Sequence, residues 1–245
     1  LASRIGDSAR WRAALQFLSL KKDIFVPQTD RHTAAPPALE WKSSAAPVAY
    51  EYAVAEMEAR VAQIRGAGAP ELVWLLEHPA LYTAGASAQK SDLLDAGAFP
   101  VHRSGRGGQY TYHGPGQRVV YVMLDLERRG PDLHRFVRNL EQWLIDSLAE
   151  FGVAGERRQG RVGVWVSLGG GEEAKIAALG IRVRRWVTFH GVSLNVAPDL
   201  SHYRGIIACG VPEHGVTSLE ALGVHADMAA VDAVLKEKFQ TLFGD

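Results

Sequence analysis

Over residues 48–65 the apolar side chains Tyr50, Val54, Met57, Val61 and Ile64 recur every three or four positions, which lays a single stripe along a helix. Gly66, Gly68 and Pro70 follow and stop it, since glycine caps a helix end and proline cannot continue one. Two short, unbroken apolar runs, Leu72-Val73-Trp74-Leu75-Leu76 and Val119-Val120-Tyr121-Val122-Met123-Leu124, predict buried strands. Residues 91–94 predict a short helix with Ser91 as its cap. Gly130-Pro131-Asp132 opens the clearest helical pattern, with Leu133, Phe136, Val137, Leu140, Leu144, Leu148 and Phe151 inward and Gly152 just past its end. A strand over 161–166 and a loop at Gly169-Gly170-Gly171 come next. Residues 176–185 and 186–196 then carry β-branched and aromatic residues in partial alternation, which predicts two adjacent strands turning near Arg184 to Trp186. A last helix over 226–243 places Met228, Val231, Val234, Leu235, Phe239 and Leu242 inward. Adjacent strands mixed with separate helices predict an α+β fold with a mixed or antiparallel sheet flanked by helices.

Composition narrows the function classes. With 245 residues, 47% of them apolar and 22% charged, the chain can bury a full core as one domain. We expect that domain over residues 39–245. Residues 1–38 read as an appendage of uncertain order, with Pro27, Pro36 and Pro37 interrupting it. A formal net charge of zero argues against a dedicated nucleic-acid binder. No apolar run approaches the ~18 residues of a membrane span. A single cysteine rules out an intrachain disulfide framework and suits a reducing compartment.

That cysteine, Cys209, ends the most informative stretch, which begins at Lys175. Two strands and a return loop would bring the two residues together. A lysine ammonium beside a thiol favours the thiolate, the form that attacks carbonyl carbon. Taken singly, a cysteine reads as a small buried hydrophobe and a lysine as a solvated charge. The second stretch, residues 103–117, holds five glycines, so it reads as a loop where main chain can approach a ligand closely. Arg103 and Arg106 would meet a phosphate or carboxylate and His113 would move a proton; the plainer reading is a glycine-rich turn with solvated arginines. No Gly-Lys-Ser/Thr makes it a P-loop, no zinc spacing of His or Cys occurs, and no Gly-x-Ser-x-Gly supports a serine hydrolase.

Taken together, the motifs Leu76-Glu77-His78-Pro79, Tyr82-Thr83-Ala84-Gly85, Arg106-Gly-Gly-Gln-Tyr-Thr-Tyr-His113-Gly-Pro-Gly-Gln117, Lys175-Ile-Ala-Ala-Leu-Gly180, His190-Gly-Val-Ser-Leu-Asn195, Ile207-Ala-Cys209-Gly210 and Gly215-Val-Thr-Ser-Leu219 resemble those of the lipoyl(octanoyl) transferases. The likeness runs from about Leu39 to the C-terminus. It implies a fold similar to the catalytic domain of lipoate and biotin protein ligases. It also implies a cytoplasmic enzyme that moves octanoyl from the phosphopantetheine thioester of acyl carrier protein to a lysine of a lipoyl-accepting domain. Acceptors would be the lipoyl domains of 2-oxoacid dehydrogenase complexes and the glycine cleavage H protein, with no ATP, metal or other cofactor and no nucleic-acid or membrane partner. By motif match Cys209 is the acyl-accepting nucleophile and Lys175 its activator. Arg106, Gly107, Gly108, Gln109, Tyr110, Thr111, Tyr112 and His113, with Ala178, Leu179, Gly180, Gly191, Val192 and Ser193, line the acyl and carrier site, Leu179 and Val192 walling the acyl slot. Ala208 stands where the family often has proline, and Ser193 where a small apolar residue is common.

Charge adds a separate expectation. Residues 101–190 hold 14 Lys/Arg against 9 Asp/Glu, with Arg157, Arg158, Arg161, Arg182, Arg184 and Arg185 prominent, so this side would dock an acidic carrier domain or is merely a dispersed basic surface. Two other activities stay open: an ATP-dependent lipoate ligase on the same fold, against which the cysteine argues, and a carrier-binding protein without catalysis.

Overall fold

The computed structural model describes residues 38–208 and 214–244. The N-terminal appendage (but for Ala38) and Cys209 lie outside the described residues. The chain enters with β1 (Leu39–Ser43), α1 (Tyr50–Ala67) and β2 (Glu71–Leu76). Next come β3 (Leu81–Ala84), β4 (Val101–Arg103), β5 (Tyr110–His113) and β6 (Gln117–Met123). Helices α2 (Leu126–Arg129) and α3 (Leu133–Ala149) follow, then β7 (Glu156–Arg158), β8 (Arg161–Gly169), β9 (Glu172–Arg184) and β10 (Val187–Asn195). A 3-10 segment (Leu200–Gly205), β11 (Gly215–Val216) and α4 (Met228–Phe243) complete it.

Among the described residues eight strands form one sheet in the order β1-β2-β6-β10-β9-β8-β7, with β11 pairing the start of β9. Pairing is parallel for β1/β2 and β9/β11 and antiparallel elsewhere in this sheet, so the mixed α+β architecture is as expected. A smaller sheet, β4-β3-β5, stands apart.

The apolar runs alternate between two cores. Val73 and Leu75 of β2 and Val120 and Val122 of β6 face α3 and α4, where Phe136, Leu140, Trp143, Leu144, Val231, Leu235 and Phe239 pack. Leu72, Trp74, Leu76, Val119, Tyr121 and Met123 face α1 through Ala53, Met57, Val61 and Ile64. A strand covered on both faces has no polar side to show. Helix ends follow their caps: the Asp132 and Asp227 side chains accept the Arg135 and Ala230 N–H groups, and Gly68 closes α1 at φ 65°. Periodicity missed the inward Trp143, which donates from Nε1 to the Leu235 carbonyl at 2.8 Å and ties α3 to α4.

Two local expectations are corrected. Ser91 lies inside a 3-10 turn (Lys90–Asp92) whose cap position is Gln89, and it does not cap. The glycine-rich stretch is not all loop, because Tyr110-Thr111-Tyr112-His113 pairs with β3 as β5, as residues of high strand propensity can. Leu179 and Val192 pair across β9 and β10 and join the core beneath α3 and α4, on the opposite face from their register neighbours Ala178 and Ser193.

Candidate active site

Lys175 sits where the main sheet changes partners. Trp165 of β8 lies across from it on one side and Val216 of β11 on the other, because the pairing of β10 with β9 runs only as far as Ala177. The Thr217 N–H then bonds the Lys175 carbonyl at 2.9 Å. The side chain is only 7% exposed. Its Nζ donates to the Val162 carbonyl at 3.1 Å and lies 4.7 Å from the centre of the Trp165 ring. The neighbouring Glu173 carboxylate is committed elsewhere, binding Arg158 and Arg161 at 2.5 Å each. No carboxylate pairs with Lys175 among the described residues.

A cavity opens beside Lys175, lined further by Thr111, Ala178, Ser193, Asn195, Tyr203 and Ala208. Ala208 precedes Cys209 in sequence. Asn195 is fixed on all sides: its Oδ1 accepts from Gln117 Nε2 at 3.0 Å and from the Tyr203 hydroxyl at 3.1 Å, and its Nδ2 donates to the Thr217 carbonyl. Thr111 Oγ1 and Gln109 Oε1 are buried with no hydrogen-bond partner among the described residues. Such orphaned groups cost free energy unless something else satisfies them.

Arg106 is 7% exposed and points into its own loop. Its guanidinium donates to the Thr83 carbonyl and hydroxyl and to the carbonyls of Gly107 and Gln109, at 2.7–3.2 Å. A Cβ on Gly180 would stand 2.8 Å from Arg106 Cδ, and one on Gly85 would stand 2.3 Å from the Gly108 carbonyl oxygen. Backbone bonds from Gly107 to Ile181 and from Ser87 to Gly108 pin the loop to β9 and to the end of β3. This arginine is therefore neither solvated nor held out toward a phosphate; it organises the glycine-rich segment.

Behind the loop lies a buried set of histidines. His78 donates from Nδ1 to the Val48 carbonyl and accepts at Nε2 from the Tyr121 hydroxyl, both at 2.6 Å, as a neutral imidazole does. His113 donates from Nδ1 to Gln117 Oε1 at 2.7 Å. His190 takes the left-handed conformation (φ 61°) within β10, and the missing side chain of Gly191 lets the Val120 carbonyl close in. Burial is the main cause that lowers all three imidazoles, His78 to about 4, His190 to about 3 and His113 well below the ordinary value. Arg106 opposes protonation of His113 and His190 as well. His113 is thus a neutral hydrogen-bonding group within the fold.

The fold brings Lys175, Thr111, Ala178 and Ser193 to one cavity and puts Arg106 against Gly180 beside it. Tyr110 and Tyr112 instead pack with Tyr82, Tyr203 and Ile206. Tyr203, Trp165 and Gly163 escaped sequence reasoning. Trp165 lay within the strand read over 161–166, but nothing in its own segment marks it as a neighbour of Lys175. Among the described residues no group of three or more His, Cys, Asp or Glu is placed to hold a metal, and no helix is long and apolar enough to cross a membrane.

Residues 49–240 match the lipoyl protein ligase A/B catalytic domain. The octanoyltransferase of Paramagnetospirillum magneticum is 63% identical over 84% of this chain and 97% of its own length. That of Parvibaculum lavamentivorans is 63% identical over 84% and 93%. Among solved structures, the bipartite lipoate protein ligase of Thermoplasma acidophilum superimposes with a TM-score of 0.65 at 15% identity, covering 85% of this chain and 84% of that one. Lipoate-protein ligase A bound with ATP gives 0.63 at 13%, covering 85% of each, and at such identities the likeness speaks for the fold alone. The chain belongs to the lipoyl protein ligase A/B catalytic-domain family, among its octanoyltransferases, and is an acyltransferase.

Proposed function

We propose that the protein carries octanoyl from acyl carrier protein to a lysine of a lipoyl-accepting domain through a thioester on Cys209. The observation that carries this reading is the Lys175 ammonium, buried with no paired carboxylate among the described residues, beside a cavity that Ala208 helps to line. An ammonium left un-neutralised can hold a neighbouring thiol as thiolate, whereas an ion-paired one has spent its field. A free thiol near pKa 8.5 is only a few per cent thiolate at neutrality, and each unit of lowering is worth about 1.36 kcal/mol.

In the first half-reaction the Cys209 thiolate attacks the thioester carbonyl. The phosphopantetheine thiolate leaves and takes a proton from the Lys175 ammonium. In the second, the acceptor lysine amine attacks the acyl-enzyme, Cys209 leaves as thiolate, and the proton lost by the amine returns to Lys175. The resting pair is restored and no ATP is consumed, since exchange between thioesters is nearly isoenergetic. The orphaned Thr111 hydroxyl is available to the substrate carbonyl. Arg157, Arg158 and Arg161 are paired with Glu141, Glu156 and Glu173. Arg182 lies 3.9 Å from Glu58, so exposed Arg184 and Arg185 are the part of the basic surface left for an acidic carrier.

Intact-protein mass spectrometry after incubation with octanoyl-acyl carrier protein, without ATP, tests the route. Wild type is expected to gain one octanoyl mass that a lipoyl domain discharges, and Cys209→Ala to gain none. Transfer that persists in Cys209→Ala, or that needs ATP and free octanoate, would refute it.

A further inference from the structure

Strand β8 carries an arrangement directed at Lys175. At Gly163 the backbone turns to φ 127°, and a Cβ there would meet Lys175 Cε at 3.1 Å, Lys175 Cδ at 3.3 Å and the Ala177 carbonyl oxygen at 2.9 Å. The register between β8 and β9 slips at the next step, between Val164 and Trp165. The slip leaves one extra residue, Ile176, in β9 and brings Lys175 across from Trp165, as bulges re-aim groups beside active sites, and Nζ there reaches the Val162 carbonyl. The turn at Gly163 is held from behind by Glu141 of α3, whose buried carboxylate accepts the Gly163 N–H at 3.1 Å. Two cations lie over the Trp165 ring, Arg161 at 4.5 Å and Lys175 at 4.7 Å; Glu173 neutralises Arg161 and nothing described neutralises Lys175. His214 packs on the same ring at 5.4 Å, with its Nδ1 3.7 Å from Glu173.

We infer that Trp165, together with the Gly163 turn that Glu141 holds, is the positioning device of the lysine in the proposed Cys–Lys pair, a role that rests on the reading above. The physical reason lies in how a buried ammonium is compensated. A carboxylate would stabilise it and also cancel the charge that the thiol needs. A π face and one carbonyl dipole stabilise it only in part and keep its field. Both partners also remain satisfied when the group is a neutral amine, so Lys175 keeps its place through both protonation states.

The test uses Cys209 as the only thiol in the chain. Iodoacetamide alkylation followed across pH reports thiolate formation with no transferase substrate present. Lys175→Met is expected to raise the midpoint of that profile, Trp165→Leu to raise it in the same direction, and Trp165→Phe, which keeps a π face, to raise it less. Octanoyl transfer by Trp165→Leu should lose at least ten-fold in kcat with a smaller change in KM. A wild-type midpoint in Trp165→Leu, or equal shifts for Leu and Phe, would overturn the positioning role while leaving the Cys–Lys pair intact. An unshifted Lys175→Met would remove both. Should Trp165→Leu not fold, Glu141→Leu against Glu141→Gln decides: Gln still accepts the Gly163 N–H and should keep the wild-type midpoint, Leu should raise it, and no difference between them refutes the proposal.

Discussion

Gly180 shows how one missing side chain can set a site. Replacing glycine with alanine ordinarily stabilises a chain by about 0.4–1 kcal/mol through the unfolded state, where the backbone allows it. Here the new Cβ would stand 2.8 Å from Arg106 Cδ, on a side chain anchored at its far end to Thr83, Gly107 and Gln109. Gly180→Ala is therefore expected to destabilise, by on the order of 1–3 kcal/mol as for an overpacked core, and to lower octanoyl transfer at least five-fold. Urea unfolding and steady-state kinetics would check both. A more stable, fully active variant would show that Arg106 does not need that space. At this scale the sequence was legible only in part. Lys175 and the glycine-rich stretch stood out as candidates, but the inward turn of Arg106 depends on gaps at Gly85 and Gly180, far from it along the chain. Local composition reports that a segment is flexible, not what fills the room its glycines leave.

Helices and strands were easier to read, because their periods are written in side chains a few positions apart. The turn between β9 and β10 fell where alternation broke, even though Arg185 and Trp186 both take positive φ there, at 50° and 65°, without the Asn-Gly that such a hairpin prefers. Elements joined by buried charge were not legible. The run read as β2 began at Leu72, whereas the strand begins one residue earlier with Glu71, which is fully buried. Its carboxylate receives the Asp125 N–H at 2.7 Å and the Arg129 guanidinium at 2.6–3.0 Å, while Arg129 also reaches the Phe243 carbonyl. One pair thus ties β2, α2 and the end of α4. Arg129→Ala would strand a buried carboxylate, and the expected cost is about 3–5 kcal/mol, read from chemical denaturation. A midpoint within error of wild type would mean that Glu71 finds another partner.

For the whole molecule, the buried histidines set the acid limit. His78 and His190 are lowered to about 4 and about 3 in the folded protein, against about 6.5 when unfolded. The unfolded chain therefore binds more protons between those values, so stability rises with pH through that window. Their contribution is complete above about pH 6.5 and is lost as pH falls toward the folded values. The melting temperature is expected to hold level from pH 7 to 8 and to drop steeply below pH 6, with His190→Gln showing the shallower loss. An equal slope in that variant would place the acid sensitivity elsewhere. The Arg106 clamp has a further consequence at this scale. The main chain of the glycine-rich segment is held by the protein's own guanidinium before any acyl group arrives. On the expectation that this segment lines the acyl site, an incoming ligand would meet a wall already set, and none of its binding free energy would go to ordering that segment. Encounter there would be a docking event and not a folding one.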